Sequence, residues 1–199
     1  MSTFHATYHN RLSAKFGDFS IPFPLIADII CECSPQVSPG AQDGVRISHN
    51  WVHDSPKKGI RFDGDGHNLP DTGVNGYVGF NVVWNIEEKQ EIYPKGDYHT
   101  VVNNVAWDDR DEEDCTLCVP PELHGTEMNS NTLVANNGAS KFEGGGGTIE
   151  NNYESQDVKR QMVDTDNSDF RPVPGGGFIS QGLNSMHFRF LRFLMKILI

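Results

Sequence analysis

The stretch Val101-Val102-Asn103-Asn104-Val105-Ala106-Trp107-Asp108 decides the fold, because the chain repeats its pattern. Each copy has a β-branched residue, two spacers, an asparagine, and a small apolar or aromatic stretch that closes on Asn or Asp. Two clear copies and two fainter ones lie at Ile47–Asp54, Val78–Asn85, Val134–Ala139 and Ile149–Tyr153. Copies of one short unit at intervals of a few tens of residues are typical of a solenoid, in which stacked units bury a shared core.

The spacing of the asparagines distinguishes between types of solenoid. Asn50, Asn81, Asn104 and Asn137 are separated by 31, 23 and 33 residues, as expected for coils whose loops vary in length. The repeated segments are rich in Val, Ile and Trp and are bounded by Gly, Asn, Asp and Pro, which favours strands. No sustained helical period lies between them, which argues against ankyrin, tetratricopeptide and leucine-rich arrays. A parallel β-helix fits best.

The repeated asparagines are expected to be structural. We expect the β-branched residue and the apolar residues after the asparagine to point inward. The asparagine should sit at the bend, where it tolerates left-handed backbone angles. In rungs stacked about 4.8 Å apart, these side chains can hydrogen-bond along the axis. The last interval, from Asn137 to Asn152, is only 15 residues, so either the two bend on different faces or one rung is shortened.

The charge balance bears on the class of partner. The formal net charge is −11, from 16 Lys and Arg against 27 Asp and Glu. The basic surplus of a nucleic-acid binder is missing, so no nucleic-acid partner is expected. The same acidity opposes binding of acidic polysaccharides unless a local basic strip or a bound cation offsets it. The composition is that of an extracellular or cell-surface protein, although no clear signal peptide is present.

The four cysteines form two close pairs, Cys31-Glu32-Cys33 and Cys115-Thr116-Leu117-Cys118. A zinc site needs four converging thiolates, for which this spacing is weak evidence. A disulfide or free thiols fit better. The acidic residues 108–114 disfavour a redox-active second pair, because neighbouring carboxylates raise a thiol pKa.

The two ends of the chain differ in composition from the repeats. We therefore divide the chain into an irregular segment 1–44, a β-helix domain 45–182 and an apolar basic tail 183–199. The apolar run Ile21–Cys33 contains Pro22, Pro24 and Asp28 and has no clear cleavage site for a signal peptidase. The tail is too short for a helix that spans a bilayer. It could cap the open end of the solenoid or lie on a membrane surface, the one membrane contact expected.

Three segments carry a family resemblance: Ile47–Gly64, Val78–Asn85 and Lys95–Trp107. They resemble right-handed parallel β-helix proteins of pectin-lyase-like architecture. The stretch Val163–Gly175, with its D-F-R-P, is similar to the closing rung of many secreted members. The chain departs from that pattern because Gly176-Gly177 replaces a Gly-Ser step and Ser180-Gln181-Gly182 replaces an acidic ending. The resemblance implies an all-β, right-handed parallel β-helix solenoid of roughly five coils with irregular ends.

Relatives of this architecture include lyases and hydrolases of acidic polysaccharides and surface proteins without catalysis. The resemblance implies that a lyase would hold Ca²⁺ with outward carboxylates, while a Lys or Arg on an adjacent rung abstracts a proton beside the uronate carboxyl group. Calcium is therefore the expected cofactor, if there is one. The candidate metal ligands are Asp63, Asp65 and Asp97.

Two segments could supply the catalytic face. Strand alternation places Ile60 and Phe62 inside and Arg61 and Asp63 outside. One rung later, the comparable positions are expected to expose Lys95 and His99. If the strands stack in register, these outward residues form one polar strip. Lys95, Arg61 and His99 are the candidate catalytic residues, and a solvated strand face without function is the alternative.

Aromatic residues form a second candidate set, because pyranose rings pack their C–H faces on aromatic side chains. The candidates for substrate binding are Trp84, Trp107, Tyr93 and Tyr98, although part of the aromatic set is expected in the core.

Two functions remain open at this level. The first is a glycan-directed extracellular β-helix protein that binds, or cleaves as a polysaccharide lyase, a uronate-containing polysaccharide. The second is a non-catalytic surface or structural module, or an inactive fragment of a larger enzyme. Fold-level analogy does not choose between them.

Overall fold

A computed structural model describes residues 36–37, 43–55, 59–62, 73–87, 90–109, 115–123 and 125–180. In this part of the chain, three five-stranded parallel sheets wind around a common core. The predicted all-β parallel β-helix of about five coils is therefore confirmed. The segments 183–199 and Cys31–Cys33 lie outside the described residues.

Four rungs contribute one strand to each sheet, and the strands of the three sheets are three residues long or shorter. Sheet 1 contains β2 (Arg46–Ser48), β5 (Tyr77–Gly79), β8 (Thr100–Val102), β13 (Leu133–Ala135) and β16 (Thr148–Glu150). Sheet 2 contains β3 (Trp51–His53), β6 (Val82–Trp84), β9 (Val105–Trp107), β14 (Gly138–Ala139) and β17 (Tyr153–Glu154). Sheet 3 contains β1 (Gln36–Val37), β4 (Ile60–Phe62), β7 (Ile92–Pro94), β10 (Leu117–Val119) and β15 (Phe142–Gly144). Strand β1 and the pair β16 and β17 belong to incomplete rungs at the two ends of the described coil.

The other elements lie outside these three sheets. Two antiparallel pairs join β11 (Glu122–Leu123) to β12 (Thr126–Glu127) and β18 (Met162–Asp164) to β19 (Asp169–Pro172). Two short 3₁₀ helices (Val158–Gln161 and Thr165–Asn167) and the helical turn α1 (Gly177–Ser180) complete the described chain. None of the helices in these ranges has the length and apolar character to cross a membrane.

The core is built from aligned inward positions, as the β-branched pattern predicts. Val78, Val101 and Val134 align along sheet 1, and each is buried. In sheet 2 the inward residue is the second after the asparagine, as in Val52, because alternate side chains of a strand face opposite sides. The expectation that every apolar residue after the asparagine points inward was therefore wrong. The first residue after each asparagine faces outward.

The repeated asparagines form one continuous ladder along the axis, as predicted. Each side-chain Nδ2 donates to the Oδ1 of the next rung: Asn50 to Asn81 at 2.9 Å, Asn81 to Asn104 at 2.9 Å, Asn104 to Asn137 at 3.0 Å and Asn137 to Asn152 at 2.9 Å. The backbone N–H of the donor asparagine reaches the same oxygen. Because Asn152 continues the ladder, the 15-residue interval is a shortened rung and not a bend on another face.

The left-handed backbone angle lies one residue before each ladder asparagine, not on it. This position has φ near 60° in every described rung: His49 at 61°, Phe80 at 59°, Asn103 at 58°, Asn136 at 57° and Asn151 at 51°. The later rungs fill it with Asn, which tolerates this angle best among non-glycine residues. His49 and Phe80 instead stack on each other, with ring centroids 5.0 Å apart.

The shortened rung depends on one glycine. Gly147 has φ of 83°, and a Cβ built on it would lie 2.2 Å from the carbonyl oxygen of Thr132. Only glycine fits this turn, because it combines a positive φ with close backbone contact. The glycine run 144–147 therefore makes a tight turn between sheets 3 and 1.

The C-terminal segment, which we define as residues 155–180, folds back over the outer face of sheet 2. Phe170 contacts Trp51, Trp84 and Trp107, with ring centroids 5.0, 5.3 and 6.1 Å away. The D-F-R-P stretch was expected to form a closing rung. It instead forms β19, whose antiparallel pairing with β18 holds Phe170 against the outside of the coil.

Candidate functional site

The predicted strip is centred on the outer side of sheet 3. Ile60 and Phe62 are buried and Arg61 faces outward, as expected from strand alternation. The register places Tyr93, and not Lys95, directly beside Arg61 on the next rung. Lys95 follows two positions later and donates its backbone N–H to the carbonyl of Phe62 at 3.2 Å. The strands of the strip do stack in register, and the direct neighbour of Arg61 in that register is Tyr93.

The structure nevertheless brings both cations to the same aromatic ring. The guanidinium carbon of Arg61 lies 5.6 Å from the centroid of the Tyr93 ring, and Nζ of Lys95 lies 5.4 Å from it. Both distances are within the range of a cation–π interaction. Arg61 and Tyr93 are partly exposed, whereas Lys95 is only 7% exposed because its rung turns inward there. The expectation of an exposed Lys95 was wrong, yet its ammonium group stays beside Tyr93.

His99 is a core residue, contrary to the expected outward position. Only 2% of it is exposed. Its Nδ1 accepts the backbone N–H of Gly76 at 2.9 Å, and its Nε2 lies 2.9 Å from the carbonyl oxygen of Lys95. The neutral ring protonated on Nε2 satisfies both contacts. Burial lowers its pKa, against smaller opposing effects from the Lys95 carbonyl and Asp97. His99 therefore fixes the turn between sheets 3 and 1 and has no nitrogen available for catalysis.

Asp97 is the one predicted metal ligand within the described chain. Its Oδ1 accepts the backbone N–H of Asn131 at 2.7 Å, and its Oδ2 accepts the side-chain amide of Asn131 at 2.8 Å. Burial alone would raise the pKa of Asp97. The hydrogen bonds from Asn131 and from the backbone of Tyr98 outweigh burial and lower that pKa. Through these two hydrogen bonds, the carboxylate of Asp97 links its own rung to the rung of Asn131.

The proposed calcium ligands are otherwise untested, because Asp63 and Asp65 lie outside the described residues. Within the described ranges, no three His, Cys, Asp or Glu side chains converge as a metal site would require.

Two of the aromatic side chains predicted to bind a sugar ring lie under the C-terminal segment. Trp84 and Trp107 point out of the coil and stack in parallel, with centroids 5.1 Å apart. His53 continues the stack at 4.2 Å from Trp84, and its Nδ1 lies 2.7 Å from Oδ2 of Asp54. The C-terminal segment lies over this column, so Trp107 is 2% exposed. Trp107 cannot meet a sugar while Phe170 is in place, whereas Trp84 is partly exposed.

The other two candidates for sugar binding, Tyr98 and Tyr93, have different surroundings. Tyr98 is 58% exposed at a turn with φ of 57°, and Tyr93 is partly exposed with two cations near its ring. The roles of Asn131 and Phe170 were not predicted from the sequence. Asn131 donates to both carboxylate oxygens of Asp97, and Phe170 covers Trp107. The D-F-R-P motif pointed to Phe170 but not to its place, whereas no sequence signal linked Asn131 to Asp97.

A second Arg–Tyr pair lies on sheet 1, where Arg46 is exposed and Tyr77 is partly exposed. The guanidinium of Arg46 lies 3.8 Å from the centroid of Tyr77. The ring of Tyr77 also lies across Gly79, where a Cβ would come within 2.5 Å of it. The guanidinium of Arg46 therefore lies closer to the Tyr77 ring than Arg61 or Lys95 lies to the Tyr93 ring.

Cys115 and Cys118 form a disulfide within the described chain, one of the two states that their spacing left open. Both are buried, and Cys118 lies within β10. Comparison with protein-family models, curated proteins and solved structures gave no match to this chain. The fold therefore rests on the strand pairing itself, and the pectin-lyase-like assignment remains a resemblance.

Proposed function

We propose that this β-helix is an extracellular glycan-binding protein that recognises an acidic, uronate-containing polysaccharide. The proposed site, here called the Tyr93 site, consists of Arg61, Tyr93 and Lys95 on the outer side of sheet 3. The observation that supports it most is the placement of two cations within 5.6 Å of one partly exposed aromatic ring.

The chemistry of the Tyr93 site suits a uronate. The C–H face of a pyranose packs against an aromatic ring, and the guanidinium of Arg61 presents parallel N–H donors that match a carboxylate. Lys95 adds a second positive charge at short range. This local pair of cations offsets the formal charge of −11, which otherwise repels polyanions.

The extracellular location has separate support from the disulfide between Cys115 and Cys118. Such bonds persist in oxidising compartments and are rare in the cytosol.

Cleavage is a further step of the same proposal. It requires a base, for which Lys95 is the candidate, and a cation beside the substrate carboxyl group. Calcium held by Asp63 and Asp65 would supply that charge neutralisation. Asp97 is engaged by Asn131 and is not part of this set.

The test compares binding of polygalacturonate and alginate with binding of a neutral glucan, by affinity electrophoresis and calorimetry. Tyr93→Ala should weaken binding of the acidic polymers about 5- to 150-fold, if its ring contributes the 1–3 kcal/mol of an aromatic stacking contact such as that with a nucleic-acid base. Arg61→Gln should also weaken binding and reduce its dependence on salt. Arg46→Gln is the matched control, because it removes the same charge from an Arg–Tyr pair on another sheet.

Three results would contradict the proposal: no binding of any acidic polymer by folded protein, equal losses in Arg46→Gln and Arg61→Gln, or no effect of Tyr93→Ala. A non-catalytic scaffold would then be the better account. Ultraviolet absorbance of an unsaturated uronate product, followed with calcium or with a chelator, separates cleavage from binding. Cleavage by a lyase route predicts a calcium-dependent rise that Lys95→Gln abolishes.

A further inference from the structure

Tyr98 combines high exposure with a strained backbone. It is 58% exposed, more than any other large hydrophobic side chain in the described ranges, and its φ of 57° is left-handed. The two preceding rungs place Gly44, with φ of 69°, and Asn75, with φ of 57°, at this position of the turn. Glycine and asparagine adopt this angle at lower cost than a bulky residue. Strained residues cluster at ligand sites, so an exposed aromatic side chain held in this way is a candidate for binding.

Two exposed asparagines flank Tyr98 along the axis of the coil. The bridge between residues 74 and 97 places Asn75 beside Tyr98 on the preceding rung. The pairing of β8 with β13 places Asn131 at the corresponding position of the next rung. All three residues are exposed, and neighbouring strands of a sheet lie about 4.8 Å apart. An amide, an aromatic ring and a second amide therefore follow one another along the edge between sheets 3 and 1.

Carboxylates fix the orientation of both amides. Nδ2 of Asn75 donates to Oδ1 of Asp43 at 2.8 Å, and Nδ2 of Asn131 donates to Oδ2 of Asp97 at 2.8 Å. Because an ionised carboxylate only accepts hydrogen bonds, each amide must turn its nitrogen toward the aspartate. Among the described residues, neither amide oxygen nor the Tyr98 hydroxyl takes part in a hydrogen bond. These oriented polar groups are available to a ligand.

The chemistry of this edge suits an uncharged sugar. An amide oxygen accepts from a hydroxyl, an amide N–H donates to one, and the C–H face of a pyranose packs on an aromatic ring. The carboxylates of Asp43 and Asp97 adjoin the two amides and repel a uronate. The charge at this edge is thus opposite to that of the Tyr93 site, where two cations lie near the ring.

We propose that Asn75, Tyr98 and Asn131 form a second subsite, here called the Tyr98 subsite, that binds an uncharged pyranose. Tyr98 follows Lys95 by three residues, so the subsite adjoins the Tyr93 site at the turn of one rung. The preferred ligand is then a polysaccharide in which uronates alternate with uncharged sugars. This preference rests on the proposed function, whereas the subsite itself does not.

The test compares two acidic polymers by calorimetry with the full chain. Hyaluronan alternates a uronate with an uncharged amide-bearing sugar, and polygalacturonate contains uronates alone. Tyr98→Asn should retain the fold, because asparagine adopts the same backbone angle at Asn75. It should weaken binding of hyaluronan about 5- to 150-fold, the range of one aromatic stacking contact, and leave binding of polygalacturonate unchanged.

Phe80→Asn is the matched control. It also replaces an aromatic residue at a left-handed angle, with φ of 59°, but at the bend between sheets 1 and 2. Binding of both polymers should be unchanged in this variant. In the unsubstituted protein, the side-chain amide signals of Asn75 and Asn131 should shift in NMR spectra when hyaluronan is added.

The pattern of losses separates this inference from the proposed function. If Tyr93→Ala weakens binding of hyaluronan and Tyr98→Asn does not, the subsite is overturned and the Tyr93 site stands. The reverse pattern supports the subsite and removes the Tyr93 site. Equal losses in Phe80→Asn and Tyr98→Asn would overturn the subsite, and no binding of either polymer by folded protein would overturn both.

Discussion

Adjacent asparagines in one bend have different functions. Asn103 adopts the left-handed angle at φ of 58°, whereas Asn104 is fully buried in the ladder. Asn104 accepts two hydrogen bonds from Asn81 and donates to Asn137 and to the carbonyl of Val78. The left-handed backbone angle favours asparagine at position 103, whereas the continuous hydrogen-bond ladder requires asparagine at position 104.

This difference gives a matched pair of variants. Asn104→Ala should lower the free energy of unfolding by about 3 kcal/mol, because it leaves buried groups on two rungs without partners. Asn103→Gly should have little effect, since glycine adopts a positive φ readily. Urea denaturation measures both. Equal losses in the two variants would show that the ladder does not carry this stability.

His99 makes stability depend on pH. Its pKa is lowered in the folded state, chiefly by burial, so the unfolded state binds a proton more readily. Stability should therefore fall as pH drops through and below 6.5, the ordinary histidine value. Asp97, whose pKa is also lowered, adds a loss of the same sign only at lower pH, below about its ordinary 3.8.

The measurement is the urea midpoint between pH 7.5 and pH 5.5, compared with that of His99→Gln. The variant should be less stable at neutral pH but should show a flatter dependence on pH. A slope that is unchanged in His99→Gln would assign the pH dependence to other groups.

At the level of elements, the outer face of sheet 2 is a second core. Val82, Val105 and Trp107 face outward, yet they are buried under Val158, Phe170 and Phe178. The repeats thus have apolar residues on both faces of this sheet, as do parallel sheets covered on both sides.

The sequence predicted the inner core and missed this outer one for a physical reason. The β-branched position three residues before the asparagine, as in Val101, is read directly from strand periodicity. The residues after the asparagine are apolar on both faces, so alternation could not be recognised there. Which element covers the outer face depends on contacts over more than sixty residues, such as Phe170 with Trp107, and local patterns do not encode them.

Truncation of Phe170 tests the role of the C-terminal segment. Phe170→Ala should lower the free energy of unfolding by about 3–5 kcal/mol and shift tryptophan fluorescence to longer wavelength, because Trp84 and Trp107 gain contact with water. Ile179→Ala, at an exposed position of α1, is the control and should change neither. If Phe170→Ala leaves the fluorescence unchanged, the segment does not cover the tryptophans.

At the scale of the whole molecule, one axis organises both structure and the proposed site. The rungs that align the asparagines also align Arg61 with Tyr93 and place Lys95 beside the same ring. The sequence predicted the residues of this strip in part. It placed Lys95 and His99 outward because the loop after β7 was treated as a continued strand, whereas the turn at Gly96, with φ of 110°, directs His99 inward.

Hydrogen exchange of side-chain amides, measured by NMR, tests the continuous ladder most directly. Asparagine amides outside the ladder exchange quickly, so Asn103 and Asn136 provide internal controls for the adjacent Asn104 and Asn137. The account predicts slow exchange for the Nδ2 protons of Asn81, Asn104 and Asn137 and fast exchange for those of Asn103 and Asn136. Equally fast exchange at all five in folded protein would contradict the stacked rungs on which the register and the Tyr93 site depend.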